Sequence, residues 1–199
     1  MAAAATKTMK NTNRWDTRQL VTMALMCAIA ALFGFVQIPL IPGVTFLTYD
    51  PSLVPAMVVG FAYGAGPGFV VGAIAAVIHG LILGEWVGSL MNIFATLFFV
   101  VPAALIYSRM HTFKGGVIGL IVSCICATLG AMLTNLTLGV WFWYGSVDVI
   151  LPLLLPAILP FNLVKTILNS VITMVVYKAV SNLITPKKKQ VKGRAAKAA

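Results

Sequence analysis

The chain has 199 residues, 60% of them hydrophobic and 9% charged, with a formal net charge of +10. A water-soluble domain carries roughly 25% charged residues, so this chain lacks the polar surface to cover itself in water and reads as an all-α polytopic membrane protein. The basic surplus does not point to nucleic acid: the tail "PKKKQVKGRAAKAA" holds no aromatic side chain on which a base could stack, and it suits a cytoplasmic retention signal that touches anionic membrane lipid.

Three regions are expected: a basic tail over 1–17, a membrane domain over 18–182 and a second basic tail over 183–199. No cleavage-site pattern follows a short apolar run near the start, so the first apolar stretch reads as a retained span. Six transmembrane helices fit the length at roughly 20 apolar residues each. The first is predicted over 18–39. A loop punctuated by Pro39, Pro42, Gly43 and Pro51 leads to the second, over 52–65. A "GAGPG" turn precedes the third, over 67–84, and "GEWVG" precedes the fourth, over 87–108. The fifth is predicted over 116–141; "WFWYGSVDVILP" reads as a loop before the sixth, over 156–182.

With six spans the charges sort by side. Lys7, Lys10, Arg14, Arg18, Arg109, Lys114, Lys178 and the tail fall on one face, and Asp50, Glu85 and Asp148 on the other. The excess of lysine and arginine assigns the first face, with both termini, to the cytoplasm. Cys27, Cys124 and Cys126 lie in apolar runs without metal-ligand spacing, so neither a metal nor a disulfide is expected.

Apart from Arg18 and Lys178 near span ends, Lys165 is the one lysine or arginine inside a predicted span, where such a residue costs about 2.5–3.5 kcal/mol near the helix centre. Asn162, Thr166, Asn169 and Thr173 recur at helical spacing beside it. Ser89, Asn92 and Thr96 repeat the pattern in the fourth helix, and Asn135 with Thr134 and Thr137 closes the fifth. Hydrogen bonding between helices would explain any one of these groups. Three asparagine-bearing helices and a lysine favour instead an outward-facing pocket for a compact polar ligand with carbonyls or hydroxyls. His79 reads as a packed or hydrogen-bonded histidine.

Small residues recur every fourth position through Gly64, Gly68, Gly72, Ala76, Gly80 and Gly84, a pattern that favours internal packing of the third helix. Ala24 and Ala28 on the first helix suit internal packing or docking of another membrane protein equally well. Trp141, Phe142, Trp143 and Tyr144 fit an aromatic belt at headgroup depth, with a lid over an aromatic ligand as the alternative.

Four stretches carry a family resemblance: "TYDPSLVPAMVVGFAYG", "VGSLMNIFATLFFVVPAALIY", "LTNLTLGVWFWY" and, most specific, "ILPFNLVKTILNS". Over residues 18–182 the chain resembles the substrate-binding S components of energy-coupling-factor (ECF) vitamin transporters, and within them the riboflavin-specific branch. The resemblance implies a multi-pass protein of the bacterial plasma membrane with no catalytic residues and no cofactor, which takes up riboflavin as its transported ligand. A transmembrane coupling protein and two ATPase subunits would complete the transporter. The implied ligand contacts are Asn162 and Lys165, with Asn92, Asn135 and Asn169, and a gating loop of Thr45, Phe46, Leu47, Thr48, Tyr49 and Asp50. Ala24 and Ala28 would contact the coupling subunit. At the positions where riboflavin carriers hold a glutamate and a Lys-Asn pair on the third helix, this chain has Gly72, Ala75 and Ala76, and Thr48 stands where they hold a lysine. Another vitamin or small polar aromatic metabolite is the alternative ligand. A stand-alone secondary transporter would call for an internal repeat and intramembrane acids, and an intramembrane enzyme for a nucleophile with its base or a metal constellation; none is legible in the sequence.

Overall fold

The computed structural model describes residues 15–42 and 47–184, with side chains as far as Ala179. The expectations for Thr45 and Phe46, and for the basic tails within 1–14 and 185–199, lie outside the described residues. Seven α-helices and one two-stranded hairpin follow in the order α1 (Thr17–Gly34), β1 (Ile38–Pro39), β2 (Thr48–Tyr49), α2 (Leu53–Tyr63), α3 (Ala65–Leu83), α4 (Trp86–Met110), α5 (Phe113–Thr134), α6 (Val147–Leu153) and α7 (Leu159–Ile184). A π-helical segment, Asn135–Tyr144, extends α5, and a second, Leu154–Ile158, joins α6 to α7. Among the described residues the chain therefore forms six continuous helical rods. Five are long and apolar enough to cross a membrane. The sixth, α2, has 11 residues; at 1.5 Å per residue it covers about 16 Å, roughly half of a bilayer's hydrocarbon core.

A helix that is apolar on every side belongs in the interior. Accordingly α2 is buried from Leu53 through Phe61, and α1, α3, α4 and α7 pack around it. Met57, Val71, Phe99 and Val100 fill the centre with no exposed surface. Close approach on the α3 side depends on small residues. Gly68 lies against the backbone of Gly60 and Ala56, Gly72 against Thr96, and Gly80 against Ser89. The Ser89 hydroxyl donates to the Ala76 carbonyl at 2.6 Å. Within α3 the every-fourth-residue stripe thus packs internally, while Gly64 and Gly84, both at positive φ, turn the chain at its two ends. Outward faces carry Leu25, Ile121, Ile125, Leu129, Leu155, Val171 and Val175, each more than half exposed, as lipid rather than water requires. The chain is a multi-pass membrane protein.

Two boundaries differ from the sequence reading. Helix α1 stops at Gly34, not at 39, and Ile38 and Pro39 pair antiparallel with Tyr49 and Thr48. Strand pairing there ties the two ends of the α1–α2 connection together. The segment 141–152, expected to be a loop, is helical except around Gly145 and Ser146. Gly145, at φ 70°, turns the chain after Tyr144, and the Ser146 side chain caps the next helix by accepting from the Asp148 amide at 3.2 Å. Pro152, Pro156 and Pro160 recur every fourth residue. Each lacks a backbone donor, and the wider π turns over Leu154–Ile158 continue the rod through them.

Candidate ligand-binding site

A cavity of about 180 Å³ opens at one end of the bundle. It is lined from the C-terminal halves of α1, α3 and α5, the N-terminal parts of α4 and α7, and the loop entering α2. Arg18, Arg109, Lys114 and Lys178 all stand at the other ends of their helices. Of the polar residues singled out by the sequence, Asn92, Asn135, Asn162 and Lys165 line the cavity, together with Thr96, Thr134 and Thr166. Leu47, Thr48 and Asp50 of the loop join them.

Two of the asparagines lining the cavity donate within their own helical rods. Asn162 Nδ2 donates to the Ile158 carbonyl and Asn135 Nδ2 to the Ala131 carbonyl, both at 2.8 Å. Thr96 and Thr166 likewise donate to the carbonyls of Asn92 and Asn162, each at 2.8 Å. These bonds hold the side chains along their helices without joining one helix to another. Elsewhere on the same stripes polar groups do join elements: Ser89 bonds to α3, and Asn169 to Tyr49. The carbonyl oxygen of Asn135 accepts from Tyr144 Oη at 3.4 Å.

Lys165 and Asp50 form an ion pair, Nζ to Oδ2, of 2.7 Å, with side chains 12% and 9% exposed. The ammonium also stands 5.9 Å from the centre of the Phe161 ring. The other carboxylate oxygen of Asp50 accepts from the Ser52 amide at 3.1 Å and from the Ser52 hydroxyl, the Asx turn that an Asp-Pro-Ser sequence favours at the entry to a helix. Next to it, Tyr49 Oη donates to Asn169 Oδ1 at 3.1 Å. Asp50 and Tyr49 thus fasten the α1–α2 connection to two positions one turn apart on α7. Asn169, expected among the ligand contacts, is fully buried and does not line the cavity; it anchors Tyr49, which does not line it either. The sequence missed this latch. Its signal was the solitary lysine away from the ends of a span, since an intramembrane charge calls for a partner and one of only four acids stands in the adjoining loop.

Burial alone would push the Asp50 carboxyl up; the Lys165 ammonium, its hydrogen bond and those from Ser52 outweigh that and hold it below its ordinary value of 3.8. A depressed carboxyl stabilises the fold fully above the unfolded value and loses that contribution as pH falls through the folded one. The melting-temperature difference between the protein and Asp50→Asn is therefore expected to stay constant from pH 7 to about 4 and to vanish below. A scan of melting temperature against pH in detergent checks it.

Further residues reach the cavity, Glu85 at the α3–α4 turn among them. His79 of α3 is buried, lies 3.4 Å from Gln37 Nε2 through its own Nε2, and packs against Phe35. Gln37 lines the cavity as well. Trp143 does so too, whereas Trp141 and Phe142 are exposed, at 84% and 55%; the aromatic cluster divides between the cavity wall and the outer surface. The third-helix positions Gly72, Ala75 and Ala76 all line the cavity, so that wall is small and apolar. On α1, Ala24 and Ala28 are exposed while Ala30 and Ala31 are buried.

The profile of the family described as "ECF transporter, substrate-specific component" matches residues 18–177. The riboflavin transporter RibU of Lactococcus lactis is 27% identical over 125 residues, 60% of this chain and 61% of that protein. RibU of Staphylococcus aureus is 29% identical over 114 residues, 57% of this chain and 60% of that protein. The riboflavin transporter FmnP of Bacillus subtilis is 28% identical over 126 residues, covering 61% and 66%. The alignment thus spans less than two thirds of these curated relatives. A solved structure of the S component of a bacterial ECF transporter superposes with a TM-score of 0.74 at 26% identity, over 85% of this chain and 98% of that one. On this match of residues and fold, the chain belongs to the substrate-specific components of ECF transporters.

Proposed function

We propose that this protein captures riboflavin in the cavity at the outer face of the membrane and hands it to an ATP-driven coupling module, with no enzymatic activity of its own. One observation carries the reading: Asn92, Asn135, Asn162 and Lys165, from three helices, line one cavity in a chain whose relatives are named riboflavin transporters. The flavin ring presents carbonyls and an imide N–H along one edge. An ammonium supplies donors to the carbonyls, and an asparagine offers both a donor and an acceptor. The apolar wall of Gly72, Ala75 and Ala76 suits the ring's face. The basic residues at the far helix ends set the cytoplasmic side by the positive-inside rule, which turns the cavity outward.

A second reading, a different polar aromatic vitamin, is favoured by that same wall, because riboflavin carriers are expected to bear charged and amide groups there. Mass spectrometry of the small molecule retained through purification separates the two. A flavin, visible as a yellow tint, supports the first. Another vitamin, with no thermal shift on adding riboflavin, overturns it.

The exposed Ala24 and Ala28 on α1 offer a surface on which a neighbouring transmembrane helix can approach closely, and we assign it to the coupling protein that works with two ATPase subunits. Ala28→Trp is expected to leave ligand binding unchanged and to abolish co-purification with that subunit. Recovery of an intact complex would rule the surface out.

A further inference from the structure

The asparagines and Lys165 occupy α4, α5 and α7, yet the cavity also reaches α1 and α3. On α3 its lining residues are Gly72, Ala75, Ala76 and His79, of which His79 alone has a polar side chain. Its imidazole is 8% exposed. Gly34 leaves the room for it: a Cβ there would come within 3.1 Å of the ring. The Phe35 ring, with centroids 5.5 Å apart, flanks it. Gln37, three residues beyond Gly34, completes the pair at 3.4 Å.

An amide nitrogen does not accept a hydrogen bond, so Gln37 donates and the imidazole accepts through Nε2. That assignment puts the ring proton on Nδ1 and keeps the Gln37 carbonyl oxygen as an acceptor. The pair therefore offers one donor and one acceptor at a cavity wall, joined by a contact longer than an ordinary hydrogen bond. A hydroxyl group both donates and accepts and is the complementary partner. Amide and ammonium groups on α4, α5 and α7 suit a ring edge with carbonyls. An imidazole on α3 paired with a carboxamide just beyond α1 suits a chain of alcohols.

We infer that His79 and Gln37 form a second recognition point in the cavity, which reads the hydroxylated side chain of the ligand. This rests on the flavin reading above and adds which residues distinguish the ribityl chain from the ring.

The experiment titrates riboflavin and lumiflavin, which keeps the ring and replaces the ribityl chain with a methyl group, into the detergent-solubilised protein and into His79→Leu and Gln37→Leu. Flavin fluorescence quenching gives each affinity. Loss of a hydrogen-bonding partner at the cavity wall is expected to weaken riboflavin about tenfold in either variant and to leave lumiflavin within about twofold. Gln37 is exposed, so its variant tests the site without disturbing the core. Equal losses for the two flavins, or undiminished riboflavin binding in both variants, would overturn this inference and leave the flavin reading standing. If neither flavin binds the unsubstituted protein, the flavin reading falls and takes this inference with it.

Discussion

Lys165→Met is expected to weaken ligand binding about 100-fold, or about 2.7 kcal/mol, with the bundle still folded. Methionine fills the volume of the lysine stem and removes only the charge and its donors. Hydrogen bonds to a charged group contribute about 1.5–3 kcal/mol, and this ammonium lines the cavity while paired to Asp50. The variant also leaves Asp50 nearly buried without its cation, which lowers stability by a separate route. A double substitution tells the two effects apart. Asp50→Asn with Lys165→Met removes the orphaned charge, so the melting temperature recovers while the affinity does not. Calorimetric titration of riboflavin checks the single variant. Undiminished affinity would mean that Lys165 serves only to latch the loop.

Gly68→Val is expected to cost at least about 3 kcal/mol of stability, at the upper end for overpacking of a close-packed interior. A Cβ at this position would stand 2.7 Å from the Gly60 Cα and 2.9 Å from the Ala56 carbonyl oxygen. Both atoms are backbone, so no side chain can swing aside. Relief requires α2 and α3 to move apart, and the cavity lining borrows from both: Leu53 on α2, and Gly72, Ala75, Ala76 and His79 on α3. Thermal unfolding in detergent should fall by roughly 10 °C. Gly66→Ala is the control, because a Cβ at Gly66 meets nothing within 4 Å, and its melting temperature should stay nearly constant. A small effect of the valine would show that the helix pair is looser than this packing implies.

The latch between the loop and α7 explains why the polar faces were legible and their partners were not. Asn162, Lys165 and Asn169 share a region of one helix, and helical periodicity puts them there from sequence alone. Lys165 and Asn162 line the cavity, but Asn169, one turn beyond Lys165, is taken up by Tyr49 from 120 residues earlier in the chain. Asp50 lies 115 residues from Lys165. Spacing along a helix carries no information about which distant residue meets which turn. The same holds for Gln37 and His79: each looks unremarkable until the end of α1 is brought beside the end of α3. The onset of α6 was a different kind of miss. Ser146 followed by Asp148 is a helix-start signal inside the stretch read as a loop.

Amino-acid order by itself determined the membrane class, the existence of six apolar helical segments and the polar stripes on the fourth, fifth and last of them. Those properties follow from hydropathy and from the 3.6-residue period, which act over a few turns of chain. Only the packed bundle decided that α2 is a short central core helix, that Asp50 neutralises Lys165, and that the third-helix wall of the cavity is bare except for His79. Each depends on which rods stand next to one another, and that is set by side-chain volumes meeting across interfaces, such as Gly68 against Gly60, between segments far apart along the chain.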